Sequence, residues 1–253
     1  MTNARSLICD NLNLKSIRED KMGKSLNLAN SIFAGFNDKN GLMICGYEWG
    51  WSKEDQKLDE SDSRPTVDMS IECTFSNKSL RYGPSANTWP YDKNIKKWFN
   101  FWGHPLNDEN LGSDFDKCII QTNWAYTSNA DIESYNRFLE KEAVDNFIHH
   151  IQVLRPKVIL FMGSKLINFL RNIDVWDRFT AIVGPEIEPL KMVQKTDFDG
   201  TRFKVYFDNF EQCQVVCLPH PSSSRGLSDE YIKLFEPELG TIITEYKKQK
   251  GIL

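Results

Sequence analysis

The chain has 253 residues, 40% of them hydrophobic, 12% aromatic and 26% charged, with 14 Gly and 10 Pro. That much apolar material buries a full core without metal or disulfide staples, and it excludes disordered, collagen-like and solenoid classes. The 31 Lys and Arg against 35 Asp and Glu leave a net charge of −4, which excludes indiscriminate electrostatic binding to nucleic acid or to an anionic membrane and leaves room only for a local basic patch.

The opening Met1-Thr2-Asn3-Ala4-Arg5 leads into mixed polar sequence with no apolar signal core. No later segment approaches the roughly 18 uninterrupted apolar residues of a membrane span. A soluble, cytoplasmic protein with no membrane partner is the expectation. The six cysteines, Cys9, Cys45, Cys73, Cys118, Cys213 and Cys217, are scattered, and they read as reduced core residues. Cys213 and Cys217 have no second pair or ligating His at zinc spacing, so no metal is expected.

Along the chain, residues 1–40 read as an N-terminal helical region, with Leu26, Leu28, Ile32 and Phe33 at three- and four-residue spacing before the turn signal Asp38-Lys39-Asn40-Gly41. Leu42-Met43-Ile44-Cys45-Gly46 is the first buried strand. The charged run Lys53 to Arg64, within a polar stretch over 53–70, predicts a loop or lid. A helix is predicted within Trp89 to Trp102 through Ile95, Trp98 and Phe99. Lys117 to Thr122 is a second buried strand, and Ser134 to Leu154 a long amphipathic helix whose His149 and His150 fall at the surface or boundary. Pro156 stops that helix. A third strand, Lys157 to Met162, turns at Gly163-Ser164 into a helix over Lys165 to Leu170. Phe203 to Phe207 alternates like a half-exposed strand, Gln214 to Leu218 is the fourth buried one, and the last helix starts near Ser228.

Buried strands separated by helices imply an α/β fold, a three-layer α/β/α sandwich around a mainly parallel four-stranded sheet. No Pro/Gly-rich linker divides it, so residues 1–253 are expected to form a single domain. Ligand-handling residues of such a sheet collect beyond the carboxyl ends of the strands. Those segments here are Gly46-Tyr47-Glu48-Trp49-Gly50, Asn123-Trp124-Ala125-Tyr126-Thr127, Gly163-Ser164 and His220-Pro221-Ser222.

In this order of segments the chain resembles the uracil-DNA glycosylase superfamily, over roughly Leu42 to Leu234. The resemblance implies a monofunctional DNA glycosylase that hydrolyses the N-glycosidic bond of a flipped base and leaves an abasic site. Glu48 matches the family residue that positions or activates water, where a carboxylate also favours the sugar cation. Asn123 matches the residue that reads the pyrimidine edge. His220 matches the imidazole that donates to the base carbonyl as negative charge gathers there. Ser164, Ser222, Ser223, Ser224 and Arg225 match positions that contact DNA, Arg225 as a wedge or a phosphate contact. Tyr47, Trp49, Gly50 and Phe75 are the remaining base-binding positions, with Trp49, Trp51 and Trp89 as rivals to Phe75 for the stacking platform.

Trp49 stands where the family usually has Pro, and Gly50 where uracil-specific members carry a bulky Tyr. An open position there implies a pyrimidine substituted at C5: thymine in a mismatch, or a hydroxymethylated or glucosylated cytosine such as some phages carry. The resemblance further implies a monomer that is nucleoid-associated, needs no cofactor and serves in repair or in defence against modified phage DNA. Two other readings stand beside it: a catalytically inactive, glycosylase-like DNA- or nucleotide-binding regulatory protein, and a hydrolase of free nucleosides or nucleotides.

Overall fold

Alternation inside the short apolar runs is what builds the sheet. The computed structural model describes residues 25–50, 56–57, 60–61, 66–129, 132 and 134–253. Its strands are β1 (Leu42–Gly46), β2 (Trp49–Gly50), β3 (Ile119–Asn123), β4 (Ser128–Asn129), β5 (Val158–Met162), β6 (Glu186–Val193), β7 (Val205–Phe210) and β8 (Gln214–Leu218). Its α-helices are α1 (Ser79–Tyr82), α2 (Pro90–Phe101), α3 (Asp114–Cys118), α4 (Lys141–Leu154), α5 (Leu166–Leu170), α6 (Ile173–Val183), α7 (Asp229–Lys233) and α8 (Glu236–Lys250). None of the described helices is long and apolar enough to cross a membrane.

The main sheet has six strands in the order β3-β1-β5-β8-β7-β6. The first four run parallel, and β7 and β6 extend the β8 edge antiparallel. Met43, Cys45, Ile120, Ile159 and Phe161 face one way, onto Phe147 and Ile151 of α4 and Phe179 of α6. Leu42, Ile44, Ile119, Leu160 and Val216 face the other way, onto Trp98 and Phe99 of α2 and Leu239 and Ile243 of α8. Strands buried on both faces need no polar alternation, which is why β1 and β5 are continuously apolar up to their last residues.

The expected four-stranded sheet is thus corrected to six strands. All four parallel strands are present, and the half-exposed strand expected at Phe203 to Phe207 overlaps β7, which runs instead over Val205–Phe210. The unexpected member is β6, whose Glu186, Glu188, Pro189 and Lys191 hide the strand pattern. Charges and a proline are tolerated there because β6 is an edge with one partner.

Among the described residues of the N-terminal region, 25–40, there is no helix, contrary to the spacing of Leu26, Leu28, Ile32 and Phe33. The segment instead covers the free edge of β3. Leu28 bridges Thr122, and Ala29 N–H donates to the Gln121 carbonyl at 3.0 Å. The side-chain amides of Asn30 and Asn37 each donate to the Ile119 carbonyl at 3.0 Å, and Gln121 N–H donates to Asn30 Oδ1 at 2.8 Å. Asparagines that satisfy backbone groups in this way compete with helix formation and win. Residues 1–24, Cys9, Trp51 and most of the polar run 53–65 lie outside the described residues. Cys45, Cys73, Cys118, Cys213 and Cys217 are free thiols in the core.

Three other boundaries move. The helix expected from Ser134 is a 3-10 turn at Asn136–Leu139 followed by α4, which ends at Arg155 in the left-handed region (φ 43) just before Pro156. The second strand starts at Ile119, after α3 and its Ser113/Asp116 capping box. The C-terminal helix divides into α7 and α8 at Leu234 and Phe235.

His149 and His150 are both buried rather than at the surface. The Nδ1 of His150 lies 2.6 Å from the Asn146 carbonyl, and its Nε2 accepts the N–H of Asn27 at 2.9 Å. One ring nitrogen donates and the other accepts, so the ring is neutral and carries its proton on Nδ1. Burial lowers its pKa from 6.5 to about 4. Below pH 6.5 the unfolded chain therefore binds a proton that the folded chain refuses, and stability falls as the pH drops from 6.5 towards 4. Denaturant midpoints measured across that range should decline for the wild type, and should decline less steeply for His150→Gln.

Candidate active site

Strand ends and one helix start assemble the site. Register places Gly46, the last residue of β1, opposite Asn123, the last of β3. A Cβ at position 46 would run into Oδ1 of Asn123 and would stand 3.1 Å from Oη of Tyr91, so only glycine leaves room for both. The Asn123 side chain is buried, and no hydrogen bond to its carboxamide is present among the described residues. The Tyr91 hydroxyl is also buried and has no partner among them.

His220 follows β8 and lies between two tyrosines. Its ring is nearly parallel to that of Tyr47 (6.2 Å between centroids, 8°) and tilted against that of Tyr91 (5.3 Å, 56°). Ser222 N–H donates to His220 Nδ1 at 3.3 Å, which leaves the proton of the neutral ring on Nε2. Burial lowers the His220 pKa to about 4, so the ring is neutral at physiological pH. Tyr47 is buried, its Oη accepts the N–H of Lys165 at 2.9 Å, and burial pushes its phenol well above the usual range. The site thus presents a carboxamide, a neutral imidazole and a phenol at the carboxyl edge of β1, β3 and β8. Such a set can pair with a planar polar ring and stabilise negative charge on it.

Glu48 is placed differently. Its side chain is 5% exposed and forms an ion pair with Arg137. It also accepts from Thr127 Oγ1 at 2.8 Å and from Asn129 Nδ2 at 2.7 Å. These bonds tie the two-stranded β2–β4 ribbon to the turn before α4, and none of them joins Glu48 to Asn123, Tyr91 or His220. Trp49 is in the same ribbon, with Nε1 donating to Asn27 Oδ1 at 2.8 Å. Gly50 is exposed there, and a Cβ on it would meet nothing within 4 Å.

Phe75 is buried in the core on the α2 side, with the Lys78 ammonium 5.0 Å from its ring centre. Trp89, 37% exposed, is the more accessible of the rival aromatics described. Ser164, which follows β5, and Ser222, Ser223 and Arg225, which follow His220, are exposed, and Ser224 is half-buried with its N–H donating to the His220 carbonyl at 3.3 Å.

Sequence reasoning missed Tyr91 and the buried trio beside it. Lys78 forms an ion pair with Asp92 at 2.6 Å and donates to Oε1 of Gln121. One signal was readable: Gln121 is a buried amide in the middle of β3, and such a group demands a partner. Nothing local marked Lys78 as that partner. Burial lowers its pKa, and Asp92 opposes the shift. Among the described residues no group of three or more His, Cys, Asp or Glu is placed to hold a metal ion.

No protein-family model and no curated protein matches this chain.

Gly163, at the end of β5, is held to its residue type by the same architecture, since a Cβ there would overlap the Tyr47 ring. Gly163→Ala should cost about 1–3 kcal/mol in denaturant unfolding. Gly50→Ala, into open space, should stay within about 0.5 kcal/mol of wild type.

Proposed function

We propose that the protein is a monofunctional DNA glycosylase acting on a flipped uracil or C5-modified pyrimidine, in repair or in defence against modified phage DNA. The observation that carries this reading is the gathering of Asn123, neutral His220 and Tyr47 at one sheet edge, where the absence of a side chain on Gly46 makes room for the Asn123 carboxamide. In the reaction the C1′–N bond breaks and its electron pair leaves with the base. Water adds its oxygen to C1′ and releases a proton. His220 Nε2–H donates to the carbonyl on which the negative charge collects, and the Asn123 carboxamide holds the base edge. Exposed Ser222, Ser223 and Arg225 flank the site where the DNA backbone would pass.

A second reading, a glycosylase-like DNA- or nucleotide-binding protein without turnover, is favoured by one observation. The Glu48 carboxylate is already occupied by Arg137, Thr127 and Asn129.

The test is to incubate the protein with DNA containing uracil, mismatched thymine, 5-hydroxymethylcytosine or its glucosylated form, reading released base by mass spectrometry and abasic sites by alkali cleavage. One base should be released, and Asn123→Ala and His220→Ala should each slow release by about 10²-fold or more. Tight binding without release would favour the second reading, and release from free nucleosides would indicate a nucleoside hydrolase. Because His220 stays neutral down to about pH 4, the rate should pass through pH 6.5 without the inflection of an ordinary histidine. A break near 6.5 that persists in His220→Ala would assign it to another group.

A further inference from the structure

A buried hydroxyl without a hydrogen bond is costly, and beside a candidate site a ligand is one group that can complete it. Tyr91 carries such a group, packed against His220 and close to the end of β1 where the Asn123 carboxamide sits. Its ring is 5.3 Å from that of His220, and its oxygen stands 3.1 Å from where a Cβ of Gly46 would lie, the same spot that the Asn123 carboxamide crowds. The hydroxyl has no partner among the described residues, and burial keeps the phenol protonated, hence a donor.

The surroundings hold Tyr91 in place from both sides. The next residue, Asp92, is locked by the buried Lys78 ammonium, which also bonds Gln121, two positions before Asn123 on β3. One turn along α2, Asn94 Nδ2 donates to the Pro221 carbonyl at 2.8 Å, in the loop that carries His220. The start of α2 is therefore pinned to the strand that presents Asn123 and to the loop that presents His220. Neither clamp uses the Tyr91 hydroxyl.

We infer that Tyr91 contacts the base, its hydroxyl donating a hydrogen bond to an acceptor oxygen of the pyrimidine held between Asn123 and His220. The assignment rests on the base-excision reading, and it adds a recognition residue from a helix outside the strand-end segments. It also defines the ligand more narrowly, as a pyrimidine whose oxygen is presented on the α2 side of the pocket.

The test is a binding measurement that needs no turnover. Oligonucleotides carrying a 2′-fluoroarabino nucleotide with uracil, thymine, cytosine or 5-hydroxymethylcytosine resist cleavage at C1′ and serve as probes, titrated by fluorescence anisotropy. Tyr91→Phe removes only the hydroxyl. It should leave the melting temperature unchanged or raised, because an unpaired buried group is lost, and should weaken binding of the preferred probe about tenfold. Tyr82→Phe is the contrast, since the Tyr82 hydroxyl donates to the Ala29 carbonyl at 2.8 Å; it should lower the melting temperature and leave affinity alone. Unchanged affinity in Tyr91→Phe overturns the assignment, and so does tighter binding, which would make the hydroxyl an obstruction rather than a contact. A wild type that binds all four probes equally would instead remove the base-excision reading, and the Tyr91 assignment with it.

Discussion

The carboxamide of Asn123 occupies space that any side chain at position 46 would fill, and this single exclusion fixes the rest of the site. It depends on register. Gly46 and Asn123 are opposite one another only because β1 and β3 are paired from Leu42 and Ile119 onward, and a slip of one residue would turn the end of the slipped strand to the other face. The register is held from both flanks. β5 pairs with β1 on one side, and the Asn30 and Asn37 amides cap the backbone of β3 on the other. An edge strand that would otherwise be open to a foreign partner thus becomes a fixed side of the candidate site.

The electrostatic design follows from the same burial. The groups that face the candidate pocket, His220, Tyr47 and Tyr91, are all kept neutral by desolvation. The charges nearby are paired off, Glu48 with Arg137 and Lys78 with Asp92. A neutral, desolvated donor strengthens its hydrogen bond as negative charge develops on a ligand, whereas a fixed cation would bind an anion before any chemistry took place. A net charge of −4 fits this arrangement, since recognition would rest on a shaped polar pocket more than on attraction to phosphates.

What the sequence disclosed was whatever depends on short-range pattern. Four apolar runs bounded by Gly and Pro gave the parallel strands, and their ends gave Gly46, Asn123 and His220, because a parallel sheet sends all its carboxyl ends to one edge. Features set by tertiary partners were not legible. Leu26 to Phe33 has helical spacing, yet its neighbours Asn27, Asn30 and Asn37 bond to β3 and to the Trp49 ring. β6 is disguised by the charges that protect it as an edge. His149 and His150 looked peripheral because nothing in α4 announces the segment that covers them. Tyr91 and Lys78 belong to stretches whose packing explanation was sufficient, and only the fold brings them within reach of Asn123 and Gln121.

Glu48 shows where motif and geometry part. By position it is the water-handling carboxylate of the resembled family, and by contact it is an anchor with Arg137, Thr127 and Asn129 around it. A carboxylate whose lone pairs are committed is poorly placed to take a proton from water. Rupture of an N-glycosidic bond does not require that it should. The barrier is dominated by charge separation, the cation growing on the sugar and the anion on the base, and water adds after most of the bond has gone. In the proposed reaction the larger share of the work would fall on the group that receives the anion, and a neutral His220 with its proton on Nε2 suits that task. Glu48 then serves the fold, holding the β2–β4 ribbon to the turn before α4, which is a different demand on a side chain and one compatible with the bonds it makes.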